Sequence, residues 1–386
     1  MTYVLGILTL FKWNSEMIGD REMSNQPNRP EIEMNHESKV SRSLTWWLLV
    51  VVFMIFCMVI IGGITRLTGS GLSMVEWRPL MGTLPPMTEV EWERVFKLYQ
   101  QSPQYQQVND WMTLGDFKWI FFWEYLHRLF GRMIGLVFAL PWFYFLLKGY
   151  LKGSWLWRST AALIFGGSQG LLGWYMVKSG LVDMPQVSHF RLAAHLSLAF
   201  FCGQWVWSML IDLNLQRFTS WDSSKNDEDS SLSLGLSLSF FVLLIVQIVY
   251  GAFMAGSRAG YLYTTYPTMN GSWLAPTWFN EQGEFLWPTL SSLLNNQDSI
   301  HFMHRSLALV VLVLGFYLVW KTRQQASVLI GRLGIALGVM LSLQFLLGVI
   351  TVTSGMNIGI AAAHQGGSFL LLTATVTLIQ SRLRIG

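Results

Sequence analysis

The sequence predicts an all-α integral membrane protein whose eight transmembrane helices form two pseudo-symmetric four-helix bundles. Three observations carry this. Hydrophobic residues make up 52% of the 386-residue chain and charged residues only 12%. Apolar runs long enough to cross a bilayer recur eight times, and the two halves of the chain repeat one another at matched positions. Soluble domains carry about 25% charged residues, so composition alone puts the chain in the membrane class, with the lipid bilayer as its first partner. The net charge of +4 is small, and no nucleic-acid partner is expected. Cys57 and Cys202 lie in separate apolar runs, which points away from a disulfide framework or a thiolate metal site.

The elements follow in order. Residues 1–43 read as a cytoplasmic leader, because the apolar run from Tyr3 to Phe11 is too short to span and is followed by a polar stretch. A span needs roughly 20 mostly apolar residues, and the candidates are 44–65, 117–147, 155–177, 189–213, 233–256, 301–320, 328–352 and 359–381. Two long connections, 66–116 and 257–300, are rich in Gly, Pro and Trp. Within the first, Val90 to Tyr99 can form a short interfacial amphipathic helix. Lys148, Lys152, Arg158, Lys321, Arg323 and Arg332 flank the short connections, with Arg217, Lys225, Arg382 and Arg384 on the same side. Basic residues stay on the cytoplasmic side, so both termini are expected inside and both long loops outside. The polar linker 214–232 divides an N-terminal bundle, 44–213, from a C-terminal one, 233–386.

The halves match in register, as an internal repeat would. Glu124-Tyr125-Leu126-His127-Arg128 pairs with His301-Phe302-Met303-His304-Arg305. Gln169-Gly170-Leu171-Leu172-Gly173 pairs with Gln344-Phe345-Leu346-Leu347-Gly348, and Ala193-Ala194-His195 with Ala362-Ala363-His364. The first and fifth spans each end in a glycine-containing segment near Arg66 and Arg258.

Four of the seven histidines, His127, His195, His304 and His364, fall inside even-numbered spans at similar depth in the outer half of the bilayer. Two per bundle could clasp one flat cofactor between facing helices. Zinc wants three or four converging ligands, whereas haem needs one or two axial ones, so haem fits better, and the glycine runs leave room for a macrocycle. A lone intramembrane histidine can equally bond a neighbouring helix. Four repeated in register argue against that reading. His36 lies in the leader, while His189 and His301, at the outer boundary, suit either a site-lining or an interfacial role.

Glu124 sits one helical turn before His127, and a carboxyl at that depth needs a reason. It either pairs with Arg128, Arg132 or Lys118, or stands at the edge of a substrate held by His127. The second bundle has no such carboxylate, which marks the first as the chemical site. Arg66, Arg258, Arg128 and Arg305 lie near outer helix ends, where they anchor the interface or bind anionic carboxylates. Their positions favour Arg66 and Arg258 for the latter.

The run Gly62-Gly63-Ile64-Thr65-Arg66-Leu67-Thr68-Gly69-Ser70-Gly71-Leu72-Ser73, with Glu76-Trp77-Arg78-Pro79, resembles a signature of the haem A synthase family. So do Trp123-Glu124-Tyr125-Leu126-His127-Arg128-Leu129-Phe130-Gly131-Arg132, the stretch from Gly170 to Leu181, His304-Arg305 and His364-Gln365. The resemblance covers roughly 45–380. It implies oxidation of a ring methyl of haem O, a farnesylated haem, to a formyl group by successive hydroxylations, giving haem A for terminal oxidases. It further implies substrate haem between His127 and His195 with Arg66, a haem b cofactor between His304 and His364 with Arg258, and Glu124 near the reacting methyl. All four histidines would then be iron ligands. Implied partners are haem O synthase (a farnesyltransferase), an electron-transfer partner, oxidase assembly factors and a further copy of the chain. The absence of a loop cysteine pair resembles the branch shared by mitochondria and some bacteria, and a bacterial inner membrane is expected over a mitochondrial one. Two rivals stand beside this: a di-haem cytochrome b-like electron-transfer subunit, and a transporter built on tandem repeats.

Overall fold

The computed structural model describes residues 31–76, 84–180, 186–219, 230–325 and 327–385. Among these, eight helices of 26 residues or more follow one another: α1 (Glu31–Leu67), α2 (Leu114–Leu147), α3 (Ser154–Gly180), α4 (His189–Thr219), α5 (Ser230–Ser257), α6 (Gln297–Arg323), α7 (Val328–Thr353) and α8 (Ile358–Ile385). Seven are long and apolar enough to cross a membrane, so the chain is a multi-pass membrane protein. The eighth, α3, is 27 residues long, but Gly166, Gly167, Ser168, Gln169, Gly170 and Gly173 lower its hydropathy.

Helix ends differ from the expected spans for a simple reason. Hydropathy finds the part of a helix that sits in lipid, while backbone chemistry decides where the helix stops. No glycine or proline stands between Pro30 and Gly62, and α1 begins at Glu31 rather than 44. Likewise α4 runs on to Thr219 and α5 starts at Ser230, both inside the expected linker. Residues 1–30 of the leader and 220–229 of the linker lie outside the described residues. Local chemistry is visible at other ends. Thr113 and Asp116 form a reciprocal capping box at the start of α2. Asn296 accepts from the Asp298 and Ser299 amides to open α6, and Gly149 takes a left-handed φ of 70° just after α2.

Helix α1 packs on α2 and α4, and α3 packs on the same two. Likewise α5 packs on α6 and α8, and α7 on those two. The two sets join where α1 and α4 meet α5 and α8. Lipid tails are as apolar as leucine, so helices associate through close packing of small residues and through hydrogen bonds. Both are present at this junction. Gly203 on α4 accommodates Phe369 of α8, whose ring edge would lie 2.5 Å from an added methyl. Trp207 Nε1 donates to Thr377 Oγ1 (2.9 Å), Gln204 Nε2 to Thr373 Oγ1 (3.0 Å) and Gln365 Nε2 to the Val59 carbonyl (2.8 Å). Gly203→Leu is therefore expected to cost about 1–3 kcal/mol through overpacking, read as a lower unfolding midpoint in detergent.

The long connections fold over the same end of the helices as the four histidines. In the first, a helix spans Glu89–Gln100, in agreement with the amphipathic segment read from sequence. Its Tyr99 is fully buried against Phe117, accepts from Asn109 Nδ2 (2.7 Å) and donates to Gln104 Oε1 (3.1 Å). Burial pushes its phenol up to about 12, so it stays neutral and keeps donating across the physiological range.

Candidate active site

Each of the four histidines faces a glycine on the preceding long helix. A methyl added at Gly62 would lie 3.3 Å from His127 Nε2. At Gly173 it would lie 3.1 Å from His195 Cε1, at Gly251 3.2 Å from His304 Cε1, and at Gly348 2.9 Å from His364 Cε1. A side chain at those positions would crowd the imidazole, most of all at Gly348. Three of the four pairs carry a second device. The side-chain amides of Gln169, Gln247 and Gln344 donate to the main-chain carbonyls of His195 (3.0 Å), His304 (3.0 Å) and His364 (2.9 Å). Each glutamine lies four residues before its glycine, and together they set the rotation of the helix pair and hence the direction of the ring. In the pair α1 and α2 the glutamine position holds Met58, which packs on Gly131 instead. Sequence reasoning missed Gln247 and this shared glycine contact. The signal was there, as a Gln-x-x-x-Gly spacing in α3, α5 and α7.

His304 and His364 face each other with ring centres 6.5 Å apart and planes at 88°. Two imidazoles bound to one iron at about 2 Å each would stand roughly 6–6.5 Å apart, centre to centre. The spacing suits a haem ligated from both faces. His364 Nδ1 is buried without a hydrogen-bond partner. In the first set of helices His127 and His195 come within electrostatic reach of one another, and His195 Nδ1 is likewise buried and unpartnered. Among the described residues no group of three or more His, Cys, Asp or Glu converges on one point, and Cys57 and Cys202 are free.

Glu124 is only 2% exposed. Its Oε1 is ion-paired with Arg128, and its Oε2 accepts from Ser73 Oγ and the Met74 amide, both at 2.7 Å. Arg128 donates in turn to the Met74 carbonyl (3.1 Å). The carboxylate thus pins the turn after α1 onto α2, directly above His127. At the matched place on α6, His301 is fully buried and donates through Nδ1 to the Ala259 carbonyl (3.0 Å), while Arg305 donates to the Thr268 carbonyl (3.0 Å). Both halves use the residue three before the histidine to secure the turn that follows the preceding odd-numbered helix; one uses a carboxylate, the other an imidazole. His189 donates to the Leu294 carbonyl (2.9 Å), tying the start of α4 to the second loop.

Arg66 and Arg258 are not counterparts. The contact glycines Gly62 and Gly251 differ by 189 in number, as do the left-handed residues Gly69 and Arg258 that open the short turns after α1 and α5. That register pairs Arg66 with Ala255. Arg66 donates to the Ala255 (3.1 Å) and Gly256 (2.6 Å) carbonyls, so it clamps the end of α5 from across the junction. It also stands within electrostatic reach of Arg258.

The COX15-CtaA family of cytochrome oxidase assembly proteins matches residues 45–376, nearly all of the described chain. A heme A synthase of Nitrosospira multiformis is 41% identical over 343 residues, covering 87% of this chain and 92% of the relative. Relatives of the same name from Caulobacter vibrioides (39%, covering 89% and 97%) and Paramagnetospirillum magneticum (38%, covering 86% and 91%) agree. The chain belongs to the haem A synthase family. Within that family frame, the four histidines and Glu124 all lie inside the matched region, and so do the turns that Glu124 and His301 hold.

Proposed function

We propose that the chain oxidises one ring methyl of haem O to a formyl group, yielding haem A, by two successive hydroxylations and loss of water from the resulting diol. The observation that carries this reading is the set of four histidines, each packed on a glycine of the preceding long helix and with His304 and His364 facing each other, in a chain that a haem A synthase matches over 87% of its length. We read the architecture as eight crossings in two pseudo-symmetric four-helix bundles, 44–213 and 233–386, in a bacterial inner membrane with both termini cytoplasmic. The helix contacts and the recurring glycine–histidine pairs support it.

In this reading His304 and His364 hold haem b, which supplies a one-electron redox centre when bound. The spacing of the two rings suits it, and Gln247 and Gln344 keep their helices turned so that the imidazoles meet. His127 and His195 hold the substrate. Arg66 and Arg258 supply positive charge at the outer helix ends for porphyrin carboxylates, Arg66 while also clamping α5. Glu124 is the carboxylate nearest the reacting edge, where it stabilises developing positive charge or takes a proton. To do so it must loosen one of the donors it now carries, Ser73, Met74 or Arg128. Haem O synthase, an electron-transfer partner, oxidase assembly factors and self-association are the partners this reading calls for.

The test is conversion. Membranes expressing the chain with a haem O supply should contain haem A on extraction and mass analysis, and no conversion would reject the reading. Glu124→Ala should keep bound haem and lower conversion at least about 100-fold, the scale of a lost acid–base group. Glu124→Gln, which can still accept from Ser73 and Met74, separates the roles. If it restores activity, the residue acts as an anchor for the outer turn, whereas continued loss points to the charge itself.

A further inference from the structure

The two four-helix sets differ along one seam, and the difference has a chemical consequence. In the second set, α6 and α7 are zipped together. Gly334 seats Thr322, Gly338 lies in van der Waals contact with Val319 and Phe316, and Leu341 fills the space over Gly315. Above them Phe345 packs edge-on to Tyr266 of the outer loop, ring centres 6.0 Å apart. The glutamine and glycine that contact the histidines, Gln169 with Gly173 and Gln344 with Gly348, set the register between α3 and α7. In that register Leu341 and Phe345 correspond to Gly166 and Gly170. His127 and His304 set the register between α2 and α6, and there Leu312 corresponds to Gly135.

Among the described residues the α2 and α3 seam is bridged toward the end away from the histidines, where Trp142 Nε1 donates to Ser159 Oγ (3.1 Å). Gly166 and Gly170 lie seven and eleven residues beyond Ser159, on the same helix face, and Gly135 lies seven before Trp142 on its face. A methyl at any of these three glycines would meet nothing within 4 Å. The opening leads to the face of α3 that bears Gln169 and Gly173, beside His195, whose Nδ1 is buried and unpartnered, as is Gln169 Oε1. From Gly173 to Gly166 the helix descends seven residues, about 10 Å at ~1.5 Å each. The lining is apolar and its flanks, Leu136, Ile164 and Leu171, are exposed as lipid-facing side chains are.

We propose that this opening is a lateral portal seating the isoprenoid tail of the substrate, with Gly135, Gly166 and Gly170 as the positions that decide specificity for a tailed over a tailless haem. It rests on the assignment of His127 and His195 to the substrate. A haem carrying a long hydrocarbon chain arrives from lipid and leaves to it, so its site needs a gap between helices through which the chain projects. A resident cofactor without such a chain needs the opposite, and the second seam is filled.

The experiment uses full-length protein in lipid nanodiscs, with Gly170→Phe and Gly135→Leu copying the closed seam and Gly170→Ala as a mild member of the series. Binding of haem O and of tailless protohaem at the first site is titrated, alongside conversion and haem b content. Gly170→Phe should weaken haem O binding at least tenfold and lower conversion with it. Protohaem affinity should stay within about twofold, haem b content should not change, and Gly170→Ala should fall between. Unchanged haem O binding would overturn the portal. Equal loss of both haems would overturn the assignment to the tail, since the macrocycle itself would then be blocked. Failure of the underlying reading is distinguishable: His127→Ala and His195→Ala would then leave haem O binding intact.

Discussion

His364→Ala is expected to strip haem b from the purified chain while leaving the helices assembled. His364 stands against Gly348, with its ring centre 6.5 Å from that of His304. Its Nδ1 makes no hydrogen bond within the protein, so alanine removes little of what holds α7 to α8. That contact rests on the Gln344 amide, which donates to the main-chain carbonyl at 364 and survives the change. Iron left with one protein ligand should bind far more weakly. Each tenfold is about 1.4 kcal/mol, and a loss of at least 100-fold is expected, read as haem b per protein after extraction. His304→Ala should behave alike. Unchanged haem content in both would refute the site. Gly348→Leu offers an independent check, because it crowds the ring without removing it and should also deplete haem b.

The complementary change, His127→Ala or His195→Ala, is expected to abolish conversion while haem b content stays at the wild-type level. Among the described residues the two pairs of histidines lie in separate helix sets whose main contacts run through α1, α4, α5 and α8, and mutations at independent sites add. The expected loss of conversion exceeds 100-fold, because an unligated substrate loses both affinity and orientation. Wild-type conversion by both would move the substrate out of the first helix set.

Much of this was legible in the amino-acid chain, for a physical reason. Lipid offers no hydrogen bonds, so a spanning segment must be a long apolar helix, and its length and composition announce it. An ionisable or imidazole group in such a segment is costly, so His127, His195, His304, His364 and Glu124 stood out without coordinates. The span expected at 155–177, α3, carries the weakest hydropathy signal of the eight long helices, because Gly166, Gly167, Ser168, Gln169 and Gly170 interrupt it.

Other features depended on pairs of residues far apart in sequence, which no local pattern encodes. The Arg128 pair, one turn away, was among the partners the sequence offered Glu124, but that its other oxygen accepts from Ser73 and Met74 follows from where the turn after α1 lands on α2. That Arg66 clamps α5 rather than mirroring Arg258 follows from how α1 and α5 meet. Composition, periodicity and repeat thus determined the membrane class, the helices and the candidate residues for the site. Which glycine each ring lies against, which seam is filled and which is open were decided only by tertiary packing, because close approach between helices is set by shape at the contact and not by the hydrophobicity of either strand of sequence.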